Sequence, residues 1–217
     1  MNLREPAAEA LSRRSIRDEV RDAIVRRITS GVAPPGTRLK QLALARELNV
    51  SQAPVREAIR ELEALGILES RRYRGTRVRT ASPAELRDAY TLRAVIENAA
   101  ARQAVPASQA ELLLLESIME CLLQANRQGD SGACLRNAMA FHRHVVAMSR
   151  NAWFLRVWER LCLDCYAGRA PVSTTAPASL LQVRLNAVAA IRAGDGSKAG
   201  CFLSTVVKLE YLTLKHE

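Results

Sequence analysis

Gln52, Arg56 and Arg60 recur every four residues, so on a helix they share one face, and each carries a planar head group able to pair with base edges or phosphate oxygens. Val55, Ala58, Ile59, Leu62 and Leu65 fall on another stripe of the same segment. The apolar stripe packs and the polar stripe is free to read. Arg38 lies upstream, and Arg71, Arg72, Arg74, Arg77 and Arg79 crowd a short stretch downstream, a density of guanidinium groups suited to phosphates or a narrow minor groove. In isolation such a basic run is a solvated surface; beside a reading helix it is a second contact with nucleic acid.

These groups need a helix-turn-helix to place them. Leu39, Leu42, Ala45 and Leu48 predict a short helix over about 40–48 with one apolar face. Asn49-Val50-Ser51 interrupts it. Ser51 is expected to cap a second helix from Gln52, its hydroxyl accepting from N–H groups that the first turn leaves unpaired, and Pro54 is tolerated in that turn. Gly66 ends this helix, and 67–71 and 76–80 predict two strands joined through Arg72-Tyr73-Arg74-Gly75, with Gly75 supplying a positive φ. That hairpin is a wing. Ile16, Val20, Ala23, Ile24 and Ile28 predict a helix over 12–30 that completes a three-helix core. Two helices joined by a three- or four-residue turn, the second exposing polar side chains near its N-terminus, fit a major groove.

Beyond Thr80-Ala81-Ser82-Pro83, where a proline after small polar residues favours a helix start, the pattern is helical. Helices are expected over 83–105, 108–127, 131–149, 152–167, 178–193 and 196–215, with a longer loop over 168–177. The expected fold is mainly α: a winged helix-turn-helix over 12–80, then an all-α antiparallel bundle of about six helices over 83–217. Bundles keep cavities for small molecules, and an outer apolar face can pair with a second copy.

The charge distribution agrees with this division. Residues 1–80 hold 17 lysines and arginines against 10 acids, a net of +7 out of +10 for all 217 residues. A 48% apolar composition supplies real cores. Neither a secretory signal nor a membrane span is evident, so a cytoplasmic protein is expected. Five cysteines, an odd number in helical patterns, read as reduced thiols, and Cys162 and Cys165 lack the second pair that a zinc site requires. With only His142, His144 and His216, no nucleophilic triad and no phosphate-binding glycine loop, an enzyme is not expected. A sequence-neutral nucleoid protein without effector control would use the same basic surface, yet would need no Gln52/Arg56 reading stripe.

The run 30–39, followed by 44–51 and by Pro54-Val55-Arg56-Glu57-Ala58-Ile59, resembles the GntR family of bacterial regulators. The remainder resembles the FCD effector domain of its FadR subfamily, through Leu92-Arg93-Ala94-Val95-Ile96-Glu97 and through Phe141-His142 with Asn151. The resemblance runs from about residue 12 to the C-terminus. It implies a homodimeric, metabolite-responsive repressor that binds a palindromic DNA operator and is modulated by a small carboxylate-type anion, with no membrane partner. The family's DNA-reading positions fall on Ser51, Gln52, Ala53 and Arg56, with Gly75 at the wing tip. Where the family usually has arginine this chain has Gln52, which implies an altered operator base, since glutamine prefers adenine and arginine guanine.

Many FCD domains hold a divalent metal. The resemblance puts its four ligand positions on Ala138, His142, Arg184 and Val206, so three of the four are replaced and no metal cofactor is expected. His144 cannot substitute, because two residues along a helix point to different sides. The expectation is that an organic cation replaces the metal: Arg184 and Arg93 grip an anionic effector, His142 adds a donor, and Glu97 is available to pair with either arginine. The competing expectation is an internal salt bridge of Arg184 to Glu97 or another acid, with His142 a satisfied core histidine.

Overall fold

The computed structural model describes residues 15–29, 31–71, 75–167 and 176–214. In the N-terminal part, α1 (Ile16–Thr29), α2 (Gln41–Glu47) and α3 (Gln52–Ala64) pack beside β1 (Arg38–Leu39), β2 (Leu68–Arg71) and β3 (Gly75–Val78). Val20, Ile24, Ile28, Leu44, Ala45, Val55, Ala58, Ile59 and Leu62 form one core with Leu39, Ile67, Leu68 and Val78. The sheet is antiparallel in the order β1-β3-β2, with Arg38 opposite Arg77 and Ser70 opposite Thr76.

Sequence periodicity and structure differ at five points here, the first being Ile16, which is 56% exposed at the start of α1 and not in the core. Leu39 belongs to β1, a strand the pattern did not predict; two residues carry no period of their own and are held by pairing to β3. Leu42 is 48% exposed, and Leu44 takes its place on the buried face of α2. Leu65 is 40% exposed at the end of α3. Ser51 occupies the cap position of α3 by its extended backbone, but its side chain makes no capping hydrogen bond. Residues 12–14, Ser30, Lys215 and most of the predicted 168–177 loop lie outside the described residues.

The C-terminal part is an all-α antiparallel bundle of α4 (Pro83–Gln103), α5 (Gln109–Gln128), α6 (Ser131–Met148), α7 (Ala152–Ala167), α8 (Ala178–Arg192) and α9 (Gly196–Leu214). Local chemistry sets its helix starts. Ser82 with Glu85 and Ser108 with Glu111 form reciprocal capping boxes, and Asp130 accepts from the Ala133 backbone. Asn151 accepts from the backbone N–H of Trp153 at 3.0 Å and of Phe154 at 3.3 Å, which starts α7.

Helix α4 lies against α9, α7 and α6, and α9 also packs on α8. The α4–α9 approach is close: a Cβ on Gly200 would lie 2.7 Å from the Asn98 carbonyl oxygen, and one on Gly196 2.8 Å from that of Arg102. Helix α7 reaches back to pack on α1. Among the described residues no helix is long and apolar enough to cross a membrane.

Candidate nucleic-acid interface and buried charged cluster

On α3, Val55, Ala58, Ile59 and Leu62 are buried, while Ser51, Gln52, Ala53, Arg56 and Arg60 are exposed. The division follows from the 3.6-residue period, and it turns an amide and two guanidinium groups outward from a fixed rod. Gly75 opens β3 opposite Arg71 with φ +74. A Cβ there would come within 3.1 Å of Arg38 Nε. The missing side chain therefore lets the exposed Arg38 guanidinium lie against the base of the wing. Arg77, opposite Arg38, donates to the Gly36 carbonyl at 3.2 Å. Arg79 turns away and pairs with Glu85 at the start of α4. Arg72 and Arg74, also expected to contact DNA, lie outside the described residues.

The four residues expected at the effector site converge inside the bundle. Arg93 is 1% exposed, Glu97 0%, His142 0% and Arg184 1%. Arg93 and Glu97 are one turn apart on α4, and Arg93 Nε donates to Glu97 Oε1 at 2.6 Å. Glu210 of α9, 5% exposed, completes the set. Its Oε2 accepts from Arg93 Nη1 at 2.9 Å, and its Oε1 accepts from Arg184 Nη2 and lies 3.1 Å from His142 Nε2. His142 Nδ1 faces Glu97 Oε2 at 2.5 Å, and Trp158 of α7 donates its indole N–H to Glu97 Oε1 at 2.7 Å.

The acid that pairs with Arg184 is thus Glu210, which the sequence reading did not single out. The signal was present: Leu203, Val206, Val207 and Glu210 are spaced as one buried stripe, and a carboxylate on such a stripe requires a partner. Trp158 was missed for a different reason, since an indole in an apolar helix pattern reads as core alone. His144 points elsewhere and reaches the Glu111 carbonyl at 2.9 Å. Cys162 is buried in the cluster that contains Trp158.

Burial raises the pKa of Glu97, but the charges of Arg93 and His142, with hydrogen bonds from His142 and Trp158, outweigh it and hold the carboxyl below its usual value. Glu210 is held well below the usual value against the same burial penalty, by Arg93, His142 and Arg184. Both acids are ionised near neutrality. Each then only accepts, and each ring nitrogen of His142 faces an oxygen of one of them. Ala138 is partly buried and Val206 fully buried, and neither offers a donor atom. Two guanidinium groups in the same cluster repel a divalent cation, so these residues do not fit the family's metal. What the arrangement can do chemically is hold a carboxylate: paired N–H groups are already aimed at carboxylate oxygens.

Residues 16–78 match the family described as bacterial regulatory proteins, gntR family, and residues 88–208 match the FCD domain. A probable D-xylose utilization operon transcriptional repressor of Paenarthrobacter nicotinovorans is 34% identical over 173 residues, 80% of this chain and 76% of that protein. The gluconate operon transcriptional repressor of Bacillus licheniformis is 29% identical over 152 residues, 70% of this chain and 62% of that protein. Among solved structures, E. coli McbR/YncC superposes with a TM-score of 0.86 at 23% identity, covering 94% of this chain and 99% of that one, which speaks for the fold.

Proposed function

Since this chain belongs to the GntR family of bacterial regulatory proteins and carries an FCD domain, we propose that it is a metabolite-responsive transcriptional repressor of the cytoplasm that binds a palindromic operator as a homodimer. The observation that carries this reading is the two-sided α3: a fully buried apolar stripe fixes the rod, and Gln52, Arg56 and Arg60 face solvent. In a duplex, Arg56 donates to a guanine edge and Gln52 pairs with an adenine edge, while Ser51, Arg38 and the wing arginines Arg72 and Arg74 hold phosphates. Two copies related by a twofold axis read the two halves of a palindrome.

The effector is a small organic anion held by Arg93, Arg184 and His142 in the bundle. Its carboxylate competes for guanidinium donors that now serve Glu210 and Glu97, so a displaced glutamate takes up a proton or relies on His142 or Trp158 as the anion enters. The relatives named for xylose and gluconate operons make sugar-derived acids the first class to titrate.

Selection of duplexes from a random pool by the purified chain, followed by competition with bulk DNA at moderate salt, tests the DNA reading; a recovered palindrome that resists competition is expected, and equal loss to bulk DNA defeats it. Titration of that complex with D-gluconate, D-xylonate and related acids, on the parent and on Arg184→Ala, tests the effector reading. A response of the parent that is lost in the variant is expected, whereas binding unchanged in the variant removes Arg184 from the site.

A further inference from the structure

Helix α7 touches both halves of the molecule, and one of its side chains belongs to both. Trp158, 1% exposed, donates its indole N–H to Glu97 Oε1, the same oxygen that Arg93 Nε reaches. The Arg93 guanidinium lies 5.9 Å from the centre of the indole ring. Trp158 also lines a cavity of about 470 Å³ between the bundle and the winged part, together with Arg21 and Val25 of α1 and Leu62, Leu65 and Ile67 at the end of α3 and its exit toward β2. Two residues farther along α7, Arg160 approaches the joint between α3 and the wing: a Cβ on Gly66 would sit 3.6 Å from its Nη2.

From this geometry we infer that Trp158 is the positioning residue through which the buried cluster sets the placement of α3. The inference rests on the reading of that cluster as the effector site. Glu97 Oε1 accepts from Arg93 and from Trp158 at once, so an anion that draws Arg93 away changes the oxygen facing the indole. A buried N–H deprived of its acceptor is costly, and the ring follows the carboxylate. The ring is itself closely packed, 1% exposed, so a shift of the indole displaces the side chains that hold it against the cleft. The side chains sharing that cavity are those that seat the C-terminal end of the reading helix, so the ring's position is transmitted to Gln52 and Arg56 as a tilt of a rigid rod. Coupling of this kind is reciprocal: what the cluster does to DNA affinity, DNA does to the cluster.

A double-mutant cycle on the full chain tests it without an identified effector. Glu97→Gln keeps the size of the side chain and removes its charge; Trp158→Phe keeps an aromatic ring and removes the N–H. With the duplex selected by the parent protein as probe, Glu97→Gln is expected to change the Kd by about fivefold or more when Trp158 is present and by less than about twofold in the Trp158→Phe background. Equal changes in the two backgrounds overturn the inference. His142→Gln, which perturbs the same cluster from α6, repeats the cycle should Glu97→Gln fail to fold.

Amide hydrogen exchange over residues 62–68 gives a readout that needs no DNA. The cluster variants are expected to alter protection there only when Trp158 is present, and unchanged protection in the Trp158 background overturns the relay. Failure of the chain to prefer any duplex would instead defeat the proposed function, and the exchange result would still decide the role of Trp158.

Discussion

Glu210 joins three helices through one carboxylate, accepting from Arg93 and Arg184 and facing His142. Removing one partner from a buried ion cluster leaves charge without compensation, and Glu210→Ala is expected to cost about 3–5 kcal/mol in urea unfolding; a loss below about 1 kcal/mol would mean that solvent reaches the arginines. The same cluster fixes an acid limit. Glu97 and Glu210 have folded-state pKa values lowered from the ordinary 4.5, so the unfolded chain takes up protons first as pH falls. Their contribution is fully present above that ordinary value and is lost progressively below it. Unfolding free energy measured from pH 7 to pH 3 is expected to be level at first and to drop below about pH 4.5, more steeply in the parent than in Glu210→Gln. At the DNA surface, Arg56→Ala is expected to lose about 1–3 kcal/mol of discrimination at one base pair, and Gln52→Arg to move the preference at its position from adenine to guanine. Binding to a panel of single-base operator variants checks both.

Elements with enough length to show a period were readable from the sequence. Each bundle helix over 83–215 begins within about two residues of its expected start, and for four of the six the reason is local, since Ser82, Ser108, Asp130 and Asn151 cap α4 to α7. β1 was not readable, since it exists only through its ladder with β3. Leu42 and Leu44 compete for the inner face of a seven-residue helix, and a pattern that short does not decide between them. In the buried cluster, Arg93, Glu97, His142 and Arg184 could be named from a resemblance, but Glu210 depends on how α9 is turned against α4. The close contact of those two helices makes a separate prediction. Gly200→Ala places a methyl group against the Asn98 carbonyl, and a backbone atom cannot swing aside as a side-chain tip can. Overpacking of this kind is expected to cost about 1–3 kcal/mol, and it displaces Glu210 from Arg93. Thermal unfolding of Gly200→Ala beside Gly129→Ala separates the effect of close approach from strain at a positive φ, since nothing crowds Gly129.

Positive charge is concentrated toward the N-terminal part of the molecule, with +7 of the net +10 in residues 1–80. Association with DNA is therefore expected to weaken linearly in log affinity against log salt, with a slope of about −0.9 for each phosphate neutralised. Arg38→Ala should make that slope shallower by about one contact while leaving base preference unchanged, as measured by fluorescence anisotropy across a salt series. A steep salt slope is thus a property of the reader, whereas acid sensitivity is a property of the bundle. The partition has a further consequence in time. Arg93 and Glu210 are 117 residues apart in the chain, so the innermost charges of the bundle cannot be neutralised by that carboxylate until α9 has left the ribosome. The segment that carries α1 to β3, ending at Val78, emerges far earlier. During each round of synthesis, the exposed face of α3 leaves the ribosome well before the last partner of the buried charges.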